Sequence, residues 1–219
     1  LTQLADENFA LDFSIVFNES LKDESGHVRE KAIRGLWESE DRLMIRTLVS
    51  LLNDDKVAYV RLAAAETLGK FADLAQDGNL LSSDEKLIRE CLINVLGRKG
   101  EDMEVRRKII ESISGMEFPE RDKIIQAAYD NGNSKLLQSA ICAMGRTSNS
   151  NWLPKVLSEM SNNDPEIRYE AVVACGKLGE DRIAADIVDM LQDEDHQVRV
   201  AAVRALGEIG GPLAKKALD

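Results

Sequence analysis

The chain has 219 residues, of which 44% are hydrophobic and 31% are charged, and its formal net charge is −11 at pH 7. This length is enough to bury a substantial core, whereas the excess of carboxylates disfavours nucleic-acid binding, which requires a basic face that displaces counterions from phosphates. The sequence shows neither a run of about 18 apolar residues nor a signal peptide, so we expect a soluble, cytoplasmic protein that does not enter a membrane.

Composition also favours helices. Only four prolines interrupt the chain, and aromatic residues make up 5% of it. The three cysteines, Cys91, Cys142 and Cys175, are odd in number and widely spaced within helical patterns. We expect them to be small core residues in a reducing compartment and not a disulfide framework.

The first periodic feature is a stripe of three phenylalanines, Phe9, Phe13 and Phe17. Their i, i+4, i+8 spacing places them on one face of a helix. We expect this face to pack against the first of the repeats described next.

A ten-residue pattern, V/I/L-R-x-x-A-x-x-x-L-G, recurs along the chain and defines six repeats. Intervals of 32, 45, 31, 31 and 31 residues separate its first apolar position, and this regularity indicates a repeat protein. The phase marks are Val28, Val60, Val105, Leu136, Ile167 and Val198. A single domain, 1–219, is expected to contain repeats at roughly 8–39, 40–75, 84–115, 119–147, 150–179 and 181–210.

Each repeat predicts a hairpin of two helices. In the second helix of the last repeat, Val198, Ala202 and Leu206 share one face, and an apolar stripe from Ile183 to Leu191 predicts the first helix. Asp164 and Asp195 stand where an N-cap belongs. Gly176 and Gly207 come late in the second helices, where we expect a helix exit.

The long interval contains an insertion at 71–86, Phe71 to Lys86. It predicts a lengthened helix followed by a loop, and Ser82 with Glu85 predicts a capping box for the next helix. A loop of this kind can alternatively form the rim of a binding surface. The last segment, 211–219, predicts the start of a further first helix, so the final face of the array is expected to be uncapped and unusually apolar.

The pattern D-x-x-V-R-x-x-A-x-x-x-L-G resembles the HEAT-like repeats of the phycobilisome-lyase type, over essentially the whole chain. The resemblance implies an all-α, right-handed α-α superhelix of about six hairpins. It also implies that the arginine after each phase mark pairs with acidic groups of the inter-helix turns, forming a structural ladder. The arginines are Arg29, Arg61, Arg106, Arg168 and Arg199, and the acidic candidates are Asp23, Asp55, Asp102, Asp164, Asp193 and Asp195. In the fourth repeat Leu137 replaces the arginine and asparagines replace the acids, so we expect an interruption that strands no charge.

The second helices of such a stack line its concave face, and offsets +2, +3 and +6 from the phase mark point away from the buried arc. Apolar residues at these offsets are candidates for partner binding, because an aromatic anchor with aliphatic neighbours and an arginine is typical of a hot spot. The candidate contacts are Tyr169, Val173, Val200 and Arg204, with Arg107 and Lys108 as a second, electrostatic contact.

No catalytic or metal-binding motif is visible, and the two histidines, His27 and His196, belong to different repeats. We therefore predict a monomeric, non-catalytic scaffold that binds a protein partner on its concave face, with no cofactor, no metal, no nucleic acid and no membrane contact. Two alternatives stay open. One is a bilin lyase-like or chaperone-like protein acting on a tetrapyrrole-carrying protein, and the other is a structural repeat module of a larger polypeptide.

Overall fold

A computed structural model describes residues 14–37, 41–76, 78–179 and 181–218. These residues form thirteen α-helices with short 3-10 turns and contain no β-strand. They fall into two compact units, one that ends at Met116 (unit 1) and one that begins at Glu117 (unit 2). None of the described helices is long and apolar enough to cross a membrane.

Unit 1 consists of three hairpins whose second helices pack on one another in chain order. Its second helices are α2, α4 and α6, and α2 contacts α4, which contacts α6. The bounds are α1 Ser14–Ser20, α2 Gly26–Gly35, α3 Met44–Asp54, α4 Ala58–Gln76, α5 Ser82–Leu96 and α6 Met103–Ile113.

Unit 2 repeats this arrangement and adds a final helix. Its second helices, α8, α10 and α12, again pack in chain order, and α13 packs on α11 and α12. The 3-10 turns Ser150–Trp152, Asp181–Ile183 and Met190–Gln192 flank the short first helices. The α-helices are α7 Arg121–Tyr129, α8 Ser134–Arg146, α9 Leu153–Glu159, α10 Pro165–Leu178, α11 Ala184–Asp189, α12 His196–Ile209 and α13 Gly211–Leu218.

The phase marks set the buried face of the second helices. Val60, Val105 and Val198 are fully buried, and Leu136 and Ile167 are 4% exposed. Val28 in α2 departs from the pattern with an exposed fraction of 38%. The predicted N-caps are confirmed: the carboxylate of Asp164 accepts the Glu166 N–H, and that of Asp195 accepts the N–H groups of Gln197 and Val198. Asp102 and Asn133 cap α6 and α8 in the same way.

Gly176 lies near the end of α10, as expected, but it is not the residue that ends the helix. Gly176 is buried inside α10, and a Cβ added to it would lie 2.9 Å from the Cα of Ala205 in α12. Its role is therefore to let two second helices approach closely, since only a hydrogen fits between them. The exit glycine of α10 is Gly179, which has the left-handed backbone conformation (φ 67°) that glycine adopts without a steric penalty.

The insertion is a helix extension followed by a short loop. Helix α4 runs for 19 residues to Gln76, and α5 begins at Ser82. The predicted capping box is absent, because Leu81 occupies the N-cap position and no side chain caps that helix. Of the phenylalanine stripe, Phe17 is buried and its ring fills the space beside Gly35, as expected of packing on the first repeat. Phe9 and Phe13 lie outside the described residues.

None of the three cysteines forms a disulfide, and two of them are buried in the core. Burial raises the pKa of Cys91 to about 11 and that of Cys175 to about 12, because a thiolate is poorly solvated there. Alkylation by iodoacetamide at pH 8 should therefore spare both residues in the native protein, while the half-buried Cys142 reacts first. Peptide mass mapping before and after unfolding in guanidinium measures this. Native labelling of Cys175 at the unfolded rate would contradict the buried assignment.

Candidate functional site

Arginines of the second helices bridge consecutive hairpins. The Nε and Nη2 groups of Arg29 donate to the two carboxylate oxygens of Asp55 at 2.7 and 2.8 Å, and Arg61 donates to Glu101 at 3.0 and 2.5 Å. In unit 2, Arg168 contacts the Asp193 carboxylate at 2.8 and 2.9 Å. Each arginine thus pairs with the turn of the following hairpin.

The same arginines also hold their own turns. The Nη1 group of Arg168 donates to the backbone carbonyls of Asn162 and Asn163 at 2.9 and 3.3 Å, and Arg29 makes the equivalent bonds to Asp23 and Glu24. One guanidinium therefore donates to carbonyls of its own turn with one nitrogen and to a carboxylate of the next turn with the other two. Arginine is suited to this arrangement because its planar guanidinium group carries five N–H donors that point in different directions.

The pair between Arg168 and Asp193 is the most enclosed of these contacts. The side chains are 8% and 5% exposed. Hydrogen bonds from the Arg168 guanidinium hold the pKa of Asp193 below its ordinary value, against the opposing effect of burial. The Asp193 carboxylate is consequently charged at neutral pH, which keeps the buried guanidinium compensated.

The register of the ladder differs from the one expected. The paired arginines contact the turn of the next hairpin. An arginine at the position of Leu137 would therefore face the turn that precedes α10. In that turn Asn162 stands at the position that Asp193 has in the next repeat. Asp164 and Asp195, which were expected in the ladder, cap helices instead. Arg106 makes no ion pair with any described residue of unit 1, and its side chain is half-exposed, so its charge is accessible to water.

The predicted outward positions prove only partly accessible. Tyr169, Val173 and Val200 are half-buried, and Arg204 is exposed. The residues at offset +3 were predicted to be exposed, and this is wrong wherever the residue is small. There the neighbouring second helices pack against it and bury it. These buried residues are Ala63, Ser139 and Ala201, with exposed fractions of 1%, 0% and 1%.

A groove of about 380 Å³ opens beside Tyr169 at the N-terminal ends of α10 and α12. Sequence reasoning identified the tyrosine but missed the other lining residues. They lie at the starts of consecutive second helices. Each is within a few residues of a phase mark, and this sequence signal could have identified them. The groove is lined by Gln138, Pro165, Glu166, Tyr169, Asp195 and Gln197.

Two of the predicted contact residues have polar groups available for new interactions, and of the two only Tyr169 lines the groove. Among the described residues, none donates to or accepts from the Tyr169 hydroxyl, and none forms an ion pair with the exposed guanidinium of Arg204. A tyrosine and an arginine with unused polar groups combine contact area with directional bonding, which is typical of binding hot spots.

The second predicted contact has a different electrostatic character. Arg107 donates to Glu104 at 2.9 Å, and Lys108 lies 2.8 Å from Glu111 and 3.7 Å from Glu66. Both cations are therefore paired within unit 1, so an incoming anion would compete with existing carboxylates.

The histidines occupy the starts of second helices. His27 stacks on Tyr59 with ring centroids 4.8 Å apart, and His196 is the first residue of α12. No group of three or more His, Cys, Asp or Glu side chains could hold a metal ion within the part of the chain that the structure describes.

Consecutive helical hairpins with a recurring V-R-x-x-A-x-x-x-L-G pattern define a class of all-α repeat proteins. The family model for HEAT repeats matches residues 16–86 and 153–219, which is more than half of the chain. The chain therefore belongs to the HEAT-repeat family, and the predicted class of fold is confirmed.

Solved structures support the same fold. The complex of CpcE and CpcF of phycocyanin lyase from Nostoc sp. PCC7120 matches with a TM-score of 0.65 and 18% identity, over 94% of this chain and 79% of that chain. The Escherichia coli protein YibA matches with a TM-score of 0.61 and 18% identity, over 93% and 73%. A search of curated proteins found no significant match. At these identities the similarity concerns the fold alone.

Proposed function

We propose that the protein is a non-catalytic scaffold that binds a protein partner on the surface of its second helices in unit 2. The observation that carries the proposal is the groove beside Tyr169, where an aromatic side chain with an unused hydroxyl lines a cleft of about 380 Å³. The groove is built on packed helices, so little conformational entropy is lost when a partner binds.

Tyr169 is the anchor of the proposed interface, Val173 and Val200 supply apolar area, and Arg204 supplies a charged hydrogen-bond donor. Tyr169, Val173 and Val200 are half-buried, so a partner can reach them while packing within the fold restricts their motion. Arg204 is exposed. Arg107 and Lys108 form a secondary contact in unit 1, because their charges are already paired.

Replacing Tyr169 and Arg204 with alanine should reduce partner recovery about tenfold or more, because loss of one hot-spot residue costs about 2 kcal/mol or more. The measurement is a quantitative pull-down from native lysate with the wild type, with Tyr169→Ala/Arg204→Ala and with the matched pair Arg107→Ala/Lys108→Ala. Circular dichroism and thermal melting verify that all three proteins are equally folded.

Each outcome of the pull-down discriminates. A partner lost only with the Tyr169 pair supports the proposed surface. One lost only with the Arg107 pair moves the interface to unit 1, and one retained by both variants rules out both surfaces. If no partner is enriched, the scaffold proposal fails in favour of a module that acts only within a larger polypeptide.

The lyase-like alternative is tested separately. The fold that this chain has in common with the CpcE–CpcF complex does not by itself transfer an activity. Under the scaffold proposal, adding a free bilin should leave the visible absorbance spectrum of the bilin unchanged. A saturable spectral shift would favour the lyase-like function.

A further inference from the structure

The last second helix, α12, presents a face that is covered in the preceding second helices. Val203 is 47% exposed, whereas Ile141 in α8 and Val172 in α10, which occupy the same position in their repeats, are fully buried. In α10 that position faces the next second helix. We call the surface around Val203, Gly207 and Arg199 the end face.

Gly207 shows the same difference. A Cβ added to Gly145 would lie 2.6 Å from the Cα of Ala174, and one added to Gly176 would lie 2.9 Å from the Cα of Ala205. At Gly207 an added Cβ would meet no described atom within 4 Å. The glycine that elsewhere admits a neighbouring helix is therefore present on the end face, with the space beside it open.

Arg199 is bonded on one side only. Its Nη1 group donates to the carbonyls of Asp193 and Glu194 at 2.7 and 3.0 Å, as Arg168 does to its own turn. Its Nε and Nη2 groups, which in Arg168 hold the Asp193 carboxylate, contact no carboxylate of the described residues. The Nε and Nη2 groups of Arg199 can therefore donate hydrogen bonds to a carboxylate from outside the described residues.

Helix α13 occupies the place of a further first helix. It packs on α11 and α12, with Ala214 buried at 1% and Leu213 exposed at 46%. The end face and Leu213 therefore expose apolar side chains on two neighbouring helices, and an amphipathic helix can cover such a surface with its apolar stripe.

We propose that the end face binds an amphipathic helix of a partner protein. The helix carries Asp or Glu just before its first turn, to pair with Arg199, and a small residue about three turns later, to lie on Gly207. Its apolar stripe covers Val203 and Leu213. The spacing from Asp193 to Ala205 supplies the template, because these residues make the equivalent contacts with Arg168 and Gly176. The proposal uses residues other than those of the Tyr169 surface and is tested independently of it.

The experiment uses a synthetic peptide that copies Gln192–Gly210, labelled with fluorescein and titrated with the full chain while anisotropy is recorded. Saturable binding is expected. Val203→Glu should weaken it about tenfold or more, because a carboxylate would be buried against an apolar stripe. A peptide with Ala205→Leu should lose affinity to a similar extent, because leucine cannot approach Gly207. The matched control is Ile15→Glu, which places the same charge at a residue 77% exposed in unit 1 and should leave binding unchanged.

Failure of the wild-type titration to saturate, or equal affinity with Val203→Glu, overturns the proposal. Sedimentation of the chain alone tests the other occupant of this face. A dimer that Val203→Glu abolishes and that the peptide does not displace would assign the face to a second copy, and the partner-helix proposal would then be wrong. Tyr169→Ala should not alter peptide affinity, which separates this result from that of the pull-down.

Discussion

Replacing Gly145 with alanine should lower the free energy of unfolding by about 1–3 kcal/mol, the usual cost of overpacking a core. The added Cβ would lie 2.6 Å from the Cα and 2.8 Å from the Cβ of Ala174, and a backbone atom cannot yield as a flexible side chain can. Helices α8 and α10 must separate to accommodate it. Denaturant unfolding followed by circular dichroism measures the change.

Gly207 provides the matched control for this substitution. It occupies the same position in its repeat and lies inside α12, but no described atom lies within 4 Å of an added Cβ. Gly207→Ala should therefore raise stability by about 0.5–1 kcal/mol, through the higher helix propensity of alanine. Equal destabilisation by the two substitutions would show that close approach of helices is not the reason for glycine at this position.

Asp193→Asn should lower the free energy of unfolding at pH 7 by about 3 kcal/mol, because the enclosed guanidinium of Arg168 loses its buried carboxylate partner and keeps only the exposed Glu194, 3.3 Å away, as an ion-pair partner. The exposed Asp186→Asn removes one negative charge from the same hairpin without breaking an ion pair, and should change stability by no more than about 0.5 kcal/mol. Thermal and urea unfolding of the two variants beside the wild type gives the comparison.

The same pair predicts how stability depends on acid. The pKa of Asp193 is lower in the folded protein than in the unfolded chain, so its contribution is complete at pH values above the unfolded pKa. That contribution is lost as the pH falls through the folded pKa. As the pH is lowered below about 5, the free energy of unfolding should therefore decrease more steeply for the wild type than for Asp193→Asn. Parallel slopes for the two proteins would mean that this carboxylate does not titrate differently on folding.

The sequence predicted the elements of this fold better than their contacts. Repeat spacing located Val60, Val105 and Val198 in the core, because a 3.6-residue period reports directly which face of a helix is buried. Asp164 predicted a helix start for an equally local reason, because an aspartate is a favoured N-cap residue. The meaning of Gly176 was missed, because a glycine late in a helix can mark an exit or a close approach, and only the position of Ala205 distinguishes the two.

The candidate site shows the same limit. Tyr169 followed from helical geometry, but the groove beside it depends on how the starts of three second helices converge, which no single period encodes. The pairing of Arg107 with Glu104 could have been predicted from its i, i+3 spacing. The one-hairpin offset between Arg168 and Asp193 could not, because it is set by the stacking of hairpins and not by the pattern within one.

That offset has a consequence for how such a chain can be lengthened or rearranged in evolution. Arg29, Arg61 and Arg168 each depend on an acid that belongs to the next hairpin, so a hairpin is transferable to these positions only if its turn supplies that acid. A duplicated hairpin that carries both Asp193 and Arg199 could be inserted after Arg168 with every pair preserved. Placed after Leu137, the same duplicate would present a carboxylate to an apolar side chain. The repeats of this protein are therefore similar in structure but not freely exchangeable in order.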